Sequence, residues 1–192
     1  MLAKRHPQDS DAALSEMRDV LLETWAVNDA MNQHLLRQLD AKAWRAEVAG
    51  AVGDSGRTIA AILAHMHNCR LLWLKWNAPH LRRPAALDPR RCTVKQAAAA
   101  HAGSAAQCLR MLADALSTGA ARKVTKFARG WGRAWPAGGT MFAYIFSHEA
   151  HHRGQVLLLA RQLGYRVSRE SAGGIWNWDQ LWKEQGLRTR PR

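Results

Sequence analysis

The sequence predicts an all-α fold, a four-helix bundle, on two observations. Four stretches, at about 11–39, 55–76, 93–116 and 140–164, repeat apolar residues at the helical period. The connection from Asn77 to Arg91 holds Pro79, Pro84 and Pro89, which makes it a long crossover rather than a tight hairpin. With 192 residues the chain is long enough to bury one real core. It is read as a frayed tail at 1–10 followed by a single domain at 11–192.

On the first helix Leu14, Leu21, Trp25, Leu35 and Leu39 share a stripe, and Asn28 and Asn32 fall in its middle. Two amides on a core-facing seam are either a satisfied polar pair or the lining of a cavity; together, at mid-helix, they point to a pocket. Asp40 to Gly56 is a connection punctuated by Gly50, Gly53 and Gly56. The second helix has the stripe Ile62, His65, Cys69, Leu72 and Trp76, flanked by Ile59, Leu63, Met66 and Trp73. His65 is therefore expected to face inward, with His67 about 200° away.

The third helix opens on a capping-box pattern, Thr93-Val-Lys-Gln96, and its alanines from Ala97 to Ala100 allow close approach of a neighbour. His101 lies on or near its inward stripe, and backbone or solvent partners are expected for it. Ser117 to Gly139 reads as an irregular excursion over one end, where Trp131 and Trp135 form part of a lid or simply pack. The fourth helix has Thr140 as N-cap, Gly164 as stop, and Met141, Ile145, Val156, Leu159 and Leu163 on its buried face. Arg166 to Gly174 then reads as a loop, and Ile175 to Gln185 as a short amphipathic helix presenting Trp178 and Trp182.

On the apolar stripe of the fourth helix, where aliphatics are expected, stand His148 and His152. Four residues apart, their rings project from one face about one turn apart, as two imidazoles sharing a metal ion require. An i,i+4 histidine pair alone is weak evidence. A metal usually needs a third protein ligand, and the inward-facing His65 supplies it. His151 lies roughly 60–100° around the helix and is not expected to ligate. Glu149 and His151 border the ligands and are candidates for orienting an imidazole. Arg153 and Gln155 are expected to tie the helix to its neighbours.

The net charge of +13 raises the question of an anionic partner. Yet the arginines scatter from Arg5 to Arg192, only Arg82-Arg83 and Arg90-Arg91 cluster, and no nucleic-acid-binding motif appears. A nucleic-acid-associated protein is the weakest reading. No 20-residue uncharged apolar run is present, so no membrane span is expected. The N-terminus lacks the apolar core of a signal peptide. Cys69, Cys92 and Cys108 are an odd number without zinc-type spacing, which fits a reducing cytoplasm. Nine tryptophans exceed what one small core needs, and a homodimer is expected.

These residues resemble the DinB/YfiT-like superfamily of metal-dependent enzymes, named for DNA-damage-inducible members. The likeness rests on Trp25-Ala-Val-Asn28, on Thr58 to His65 ahead of Trp73-Leu, and above all on His148-Glu-Ala-His-His-Arg-Gly-Gln155. It implies an up-down-down-up four-helix bundle with a long crossover between helices two and three. It also implies one divalent metal ion, zinc or nickel, held by His65, His148 and His152. Activities in the family include thiol transferases and isomerases that use low-molecular-weight thiols such as glutathione, bacillithiol or mycothiol. A catalytic base or acid is not assigned by the motif. The alternative is a non-catalytic metal-binding stress-response module.

Overall fold

The computed structural model describes residues 7–48, 57–128, 134–136 and 139–187. Four long helices carry it: α1 (Pro7–Gln38), α2 (Ile59–Asn77), α3 (Val94–Leu116) and α4 (Gly139–Gln162). Two short helices follow, α5 (Arg169–Gly174) and α6 (Trp178–Glu184). Gly50, Gly53, Gly56 and Trp131 lie outside the described residues.

Local chemistry explains most boundaries. α1 starts at Pro7, four residues before the start read from the periodicity; proline suits a first helical position because its missing N–H has no intrahelical acceptor there. The Thr58 side chain caps α2 by accepting from the Ala61 amide at 3.1 Å. Thr93 and Gln96 form the expected capping box at the head of α3. α4 begins one residue before Thr140, so Thr140 is its second residue and not its cap. Its other end closes as a Schellman turn, with the Tyr165 amide on Ala160 O and the Gly164 amide on Arg161 O. Gly164 sits at φ +82°, a conformation that favours glycine.

Two differences from the sequence reading concern short elements. The excursion after α3 holds a 3-10 turn (Gly119–Ala121) and an antiparallel pair of three-residue strands, β1 (Lys126–Ala128) and β2 (Ala134–Pro136). Trp135 is in β2, opposite Phe127. The stretch read as a loop after α4 contains α5, capped by the Ser168 hydroxyl, which accepts from Ser171 N. Ser168 was overlooked as a cap because only one helical turn follows it.

α1 packs on α3 and α4, and α2 packs on α3 and α4. Directions follow from the residues that meet. Trp25 Nε1 donates to Ala105 O and Gln33 Nε2 to Ala98 O, so α1 and α3 run opposite ways. Trp25 meets Phe146 while Asn32 meets Arg153, so α1 and α4 run together. Trp73 meets Tyr144 while His65 meets His152, so α2 and α4 oppose. His101 meets Leu63 and Ser104 meets His67, so α2 and α3 run together.

The apolar core divides in two. One cluster gathers Leu35, Leu36, Ile59, Leu63, Met66 and Val156; the other gathers Trp25, Trp73, Leu74, Met111, Leu112 and Ile145. Between them every long helix contributes buried polar residues: Asn28 and Asn32, His67 and Arg70, His101 and Ser104, Glu149 and Arg153. The predicted stripes are off at their edges. Leu14 is 61% exposed, and Leu72 and Trp76 lie outside the core, because α2 turns the face of His67 and Arg70 inward instead. His67 is therefore buried and not turned to solvent. Its Nε2 donates to Ala85 O at 2.9 Å, and its Nδ1 lies 3.1 Å from the Ser104 hydroxyl.

Replacing Gly164 with alanine should lower the unfolding free energy by about 1 kcal/mol in urea titrations, because Cβ disfavours the left-handed conformation. Gly154→Ala is the control. It lies inside the helix that Gly164 ends, a Cβ there meets nothing within 4 Å, and the change should be neutral or stabilising.

Candidate metal centre

The site lies on the seam of α2 and α4. His65 comes from α2, and His148 and His152 come from successive turns of α4. Their candidate ligand nitrogens all lie within 4.8 Å of one another. His148 Nε2 stands 3.4 Å from His65 Nε2. Two nitrogens each about 2.1 Å from one tetrahedral zinc ion would be roughly 3.4 Å apart, so this donor set and spacing fit a divalent metal.

The surroundings hold each ring. The His148 ring lies edge-on to Trp73, with centroids 5.4 Å apart, and is stacked beside Tyr144 at 6.2 Å. His152 Nδ1 donates to Gln155 Oε1 at 2.7 Å. A proton on Nδ1 leaves the Nε2 lone pair for a ligand. Gln155 is thus a positioning residue that the sequence reading had assigned to interhelical ties. Its i,i+3 spacing from His152 was the signal available.

Burial lowers the pKa of His65, and the charges of His152 and Arg57 lower it further. Burial also lowers His152; the Gln155 hydrogen bond opposes this, while His151 and Arg57 reinforce it. Both effects favour the neutral imidazole, the form that ligates. His151 is exposed and is not one of the three clustered rings, although its centroid is 5.1 Å from that of His152.

Asn28, Asn32 and Glu149 take a different part from the one expected. Arg70 Nε and Nη2 donate to the two Glu149 oxygens at 2.6 and 2.9 Å. Asn28 and Asn32 donate to Glu149 Oε2 at 2.6 and 2.7 Å. Their own carbonyl oxygens accept from Arg153 Nη1 at 2.8 and 2.9 Å. The asparagines are thus a satisfied polar pair bridging an acid and a base, and the pocket reading is set aside for them. Glu149 accepts from Arg70 and the two amides, and no imidazole appears among these bonds. Arg70 Nη1 also reaches Asp29 Oδ1 at 3.0 Å and His101 O at 2.9 Å.

The sequence reading missed Arg70 because it followed hydrophobicity. A count along α2 would have found it: Ile59, Leu63, Met66, Arg70, Trp73 and Asn77 alternate steps of four and three, which places Arg70 at a core position. His101 takes the expected backbone partner. Its Nε2 donates to Leu63 O at 2.8 Å, and burial pulls its pKa down to about 3.

With the geometry in view, comparisons with known proteins decide the family. The sequence model described as the DinB family matches residues 10–174. This chain belongs to the DinB family. A crystal structure of a DinB-like protein from Bacillus cereus ATCC 10987 shares the fold with the DinB-family chain, with a TM-score of 0.58 and 19% identity. The match covers 77% of this chain and 93% of that one. No curated protein matches it. Among the described residues of this DinB-family member, no helix is long and apolar enough to cross a membrane.

Burial alone would raise the Glu149 pKa; the Arg70 charge and the hydrogen bonds from Arg70 and Asn32 outweigh it and hold it down to about 2. The unfolded chain takes up this proton near 4.5 and the folded chain only near 2. The contribution to stability is therefore complete above pH 4.5 and lost as pH falls towards 2. Urea midpoints measured down this window should fall steeply for the native chain and less steeply for Glu149→Gln. At neutral pH, Glu149→Leu should cost about 3–5 kcal/mol by stranding Arg70, and Arg70→Met added to it should recover part of that.

Proposed function

We propose that this chain is a single up-down-down-up four-helix bundle domain that holds one divalent ion, zinc or nickel, at His65, His148 and His152. We further propose that it acts as a metal-dependent enzyme on a low-molecular-weight thiol such as glutathione. The observation that carries the reading is the convergence of three imidazoles from two helices, with Nε2 atoms of His65 and His148 3.4 Å apart. The bundle topology is supported by the helix directions above and by the long proline-bearing connection from α2 to α3.

His65, His148 and His152 would hold the ion, which would supply Lewis acidity to a thiol or water near neutral pH. The chain's own residues set the stage for this. Gln155 fixes the His152 tautomer, Trp73 and Tyr144 confine the His148 ring, and Arg57 adds positive charge beside His65 and His152. A net charge of +13 draws in an anionic cosubstrate, and glutathione is one. A cytoplasmic setting agrees with Cys69, Cys92 and Cys108 standing outside any disulfide.

The family likeness favours thiol transfer over a non-catalytic metal-binding module. Metal analysis of untagged protein should return about one zinc or nickel per chain. His148→Ala should lose it, because two imidazoles hold a divalent ion poorly, while exposed His151→Ala should keep it. Stoichiometric metal in His148→Ala protein would sink both the site and the thiol chemistry.

A homodimer is a further part of the proposal. Leu14 and Met17, 61% and 58% exposed, and Val20 lie along one side of α1. The stretch from Asp11 to Glu23 carries four acidic side chains beside Arg18, so the pairing rests on the apolar surface, which a second copy would cover. Light scattering should give twice the chain mass at micromolar concentration, and Met17→Lys should return it to monomer.

A further inference from the structure

Two pairs of metal-ligating side chains at i,i+4 spacing meet across the seam. His148 and His152 form the pair on α4, and on α2 the residue four after His65 is Cys69. Its Sγ lies 3.6 Å from His65 Nε2 and 3.8 Å from Nδ1, against the flank of the ring and outside the group of three nitrogens. Cys69 is half-buried, whereas Cys92 and Cys108 are buried.

We propose that Cys69 is the fourth ligand of the three-histidine centre. The inference rests on the metal reading above and adds a donor which that reading does not contain. Within a helix the cysteine side chain has two comfortable χ1 settings, and exchange between them moves Sγ by about 3 Å. In the proposed closed state that exchange brings the sulfur from beside the ring to the metal position at Nε2. Sulfur and nitrogen on a common tetrahedral zinc ion stand roughly 3.6 Å apart, from bonds of about 2.3 and 2.1 Å. The separation of Sγ from His65 Nε2 is already of that size; in the proposed state the sulfur also comes within the same reach of the His148 and His152 nitrogens. In the step itself the S–H bond breaks, the proton leaves to solvent, and the sulfur lone pair fills the fourth position. No electron is transferred. The centre then has two states, closed by Cys69 or open to a cosubstrate, and a side-chain rotation separates them.

The test uses the full chain loaded with cobalt(II) alone. The wild-type protein should show visible bands of tetrahedral intensity and a near-ultraviolet thiolate-to-cobalt charge-transfer band. That band should vanish in Cys69→Ser and persist in Cys108→Ala. In parallel, zinc should slow alkylation of Cys69 by iodoacetamide about tenfold, while the buried cysteines act as internal references. Cobalt bound through the histidines with no charge-transfer band, or a band that survives in Cys69→Ser, would overturn the proposal and leave the three-histidine site standing. Failure to bind cobalt at all would overturn both.

Discussion

The pairing of Arg70 with Glu149 is the interaction on which the rest depends. Neither side chain has exposed surface, and Glu149 directly follows His148 of the ring cluster on α4. From its place on α2, the guanidinium reaches Glu149 on α4, Asp29 on α1 and the backbone of His101 on α3, and lies 5.0 Å over the Trp25 ring. One side chain therefore gathers all four long helices. Taking these charges out of water is expensive, and the return is strong only where geometry is good and the remaining donors and acceptors are met. Here Asn28 and Asn32 meet them on the acid side, and Arg153 occupies their other ends.

Such a belt specifies more than it stabilises. Leucine-like contacts in the two flanking clusters tolerate sliding, since one apolar surface fits another in several offsets. A bidentate ion pair does not. Sliding α4 along α2 by one turn moves its side chains by about 5.4 Å. That exceeds the 4.8 Å over which the three imidazole nitrogens are spread. The offset that satisfies Arg70 is the one that brings His65 opposite His148 and His152, so the costly buried charges and the ring cluster are two faces of one register.

The helices and the three rings were legible in the sequence because both write themselves at helical spacing. Thr93 and Gln96 announced a helix start, Gly164 an end, and His148 with His152 a shared face. What stayed hidden was the belt. Arg70 and His67 sit at core positions of α2, but a hydrophobic stripe drawn through polar residues slides to the nearest apolar neighbours, Leu72 and Trp76, which lie outside the core. For Asn28 and Asn32 the sequence offered a choice between pocket and polar pair, and the deciding partners, Glu149 and Arg153, are more than a hundred residues away. Pairings over that distance leave no local trace. Ser168 and its single-turn helix were missed for the opposite reason, too few residues to establish a period.

The distance along the chain between the two halves of the ring cluster has a kinetic consequence. His148 and His152 belong to one helix and meet as soon as that helix forms, a local event on the microsecond scale. His65 is 83 residues upstream of His148, and its ring can join them only after the intervening chain has closed on itself. A folding chain therefore brings two of the rings together early and the third late. The docking of α2 against α4 sets the moment at which the three-ring cluster is complete.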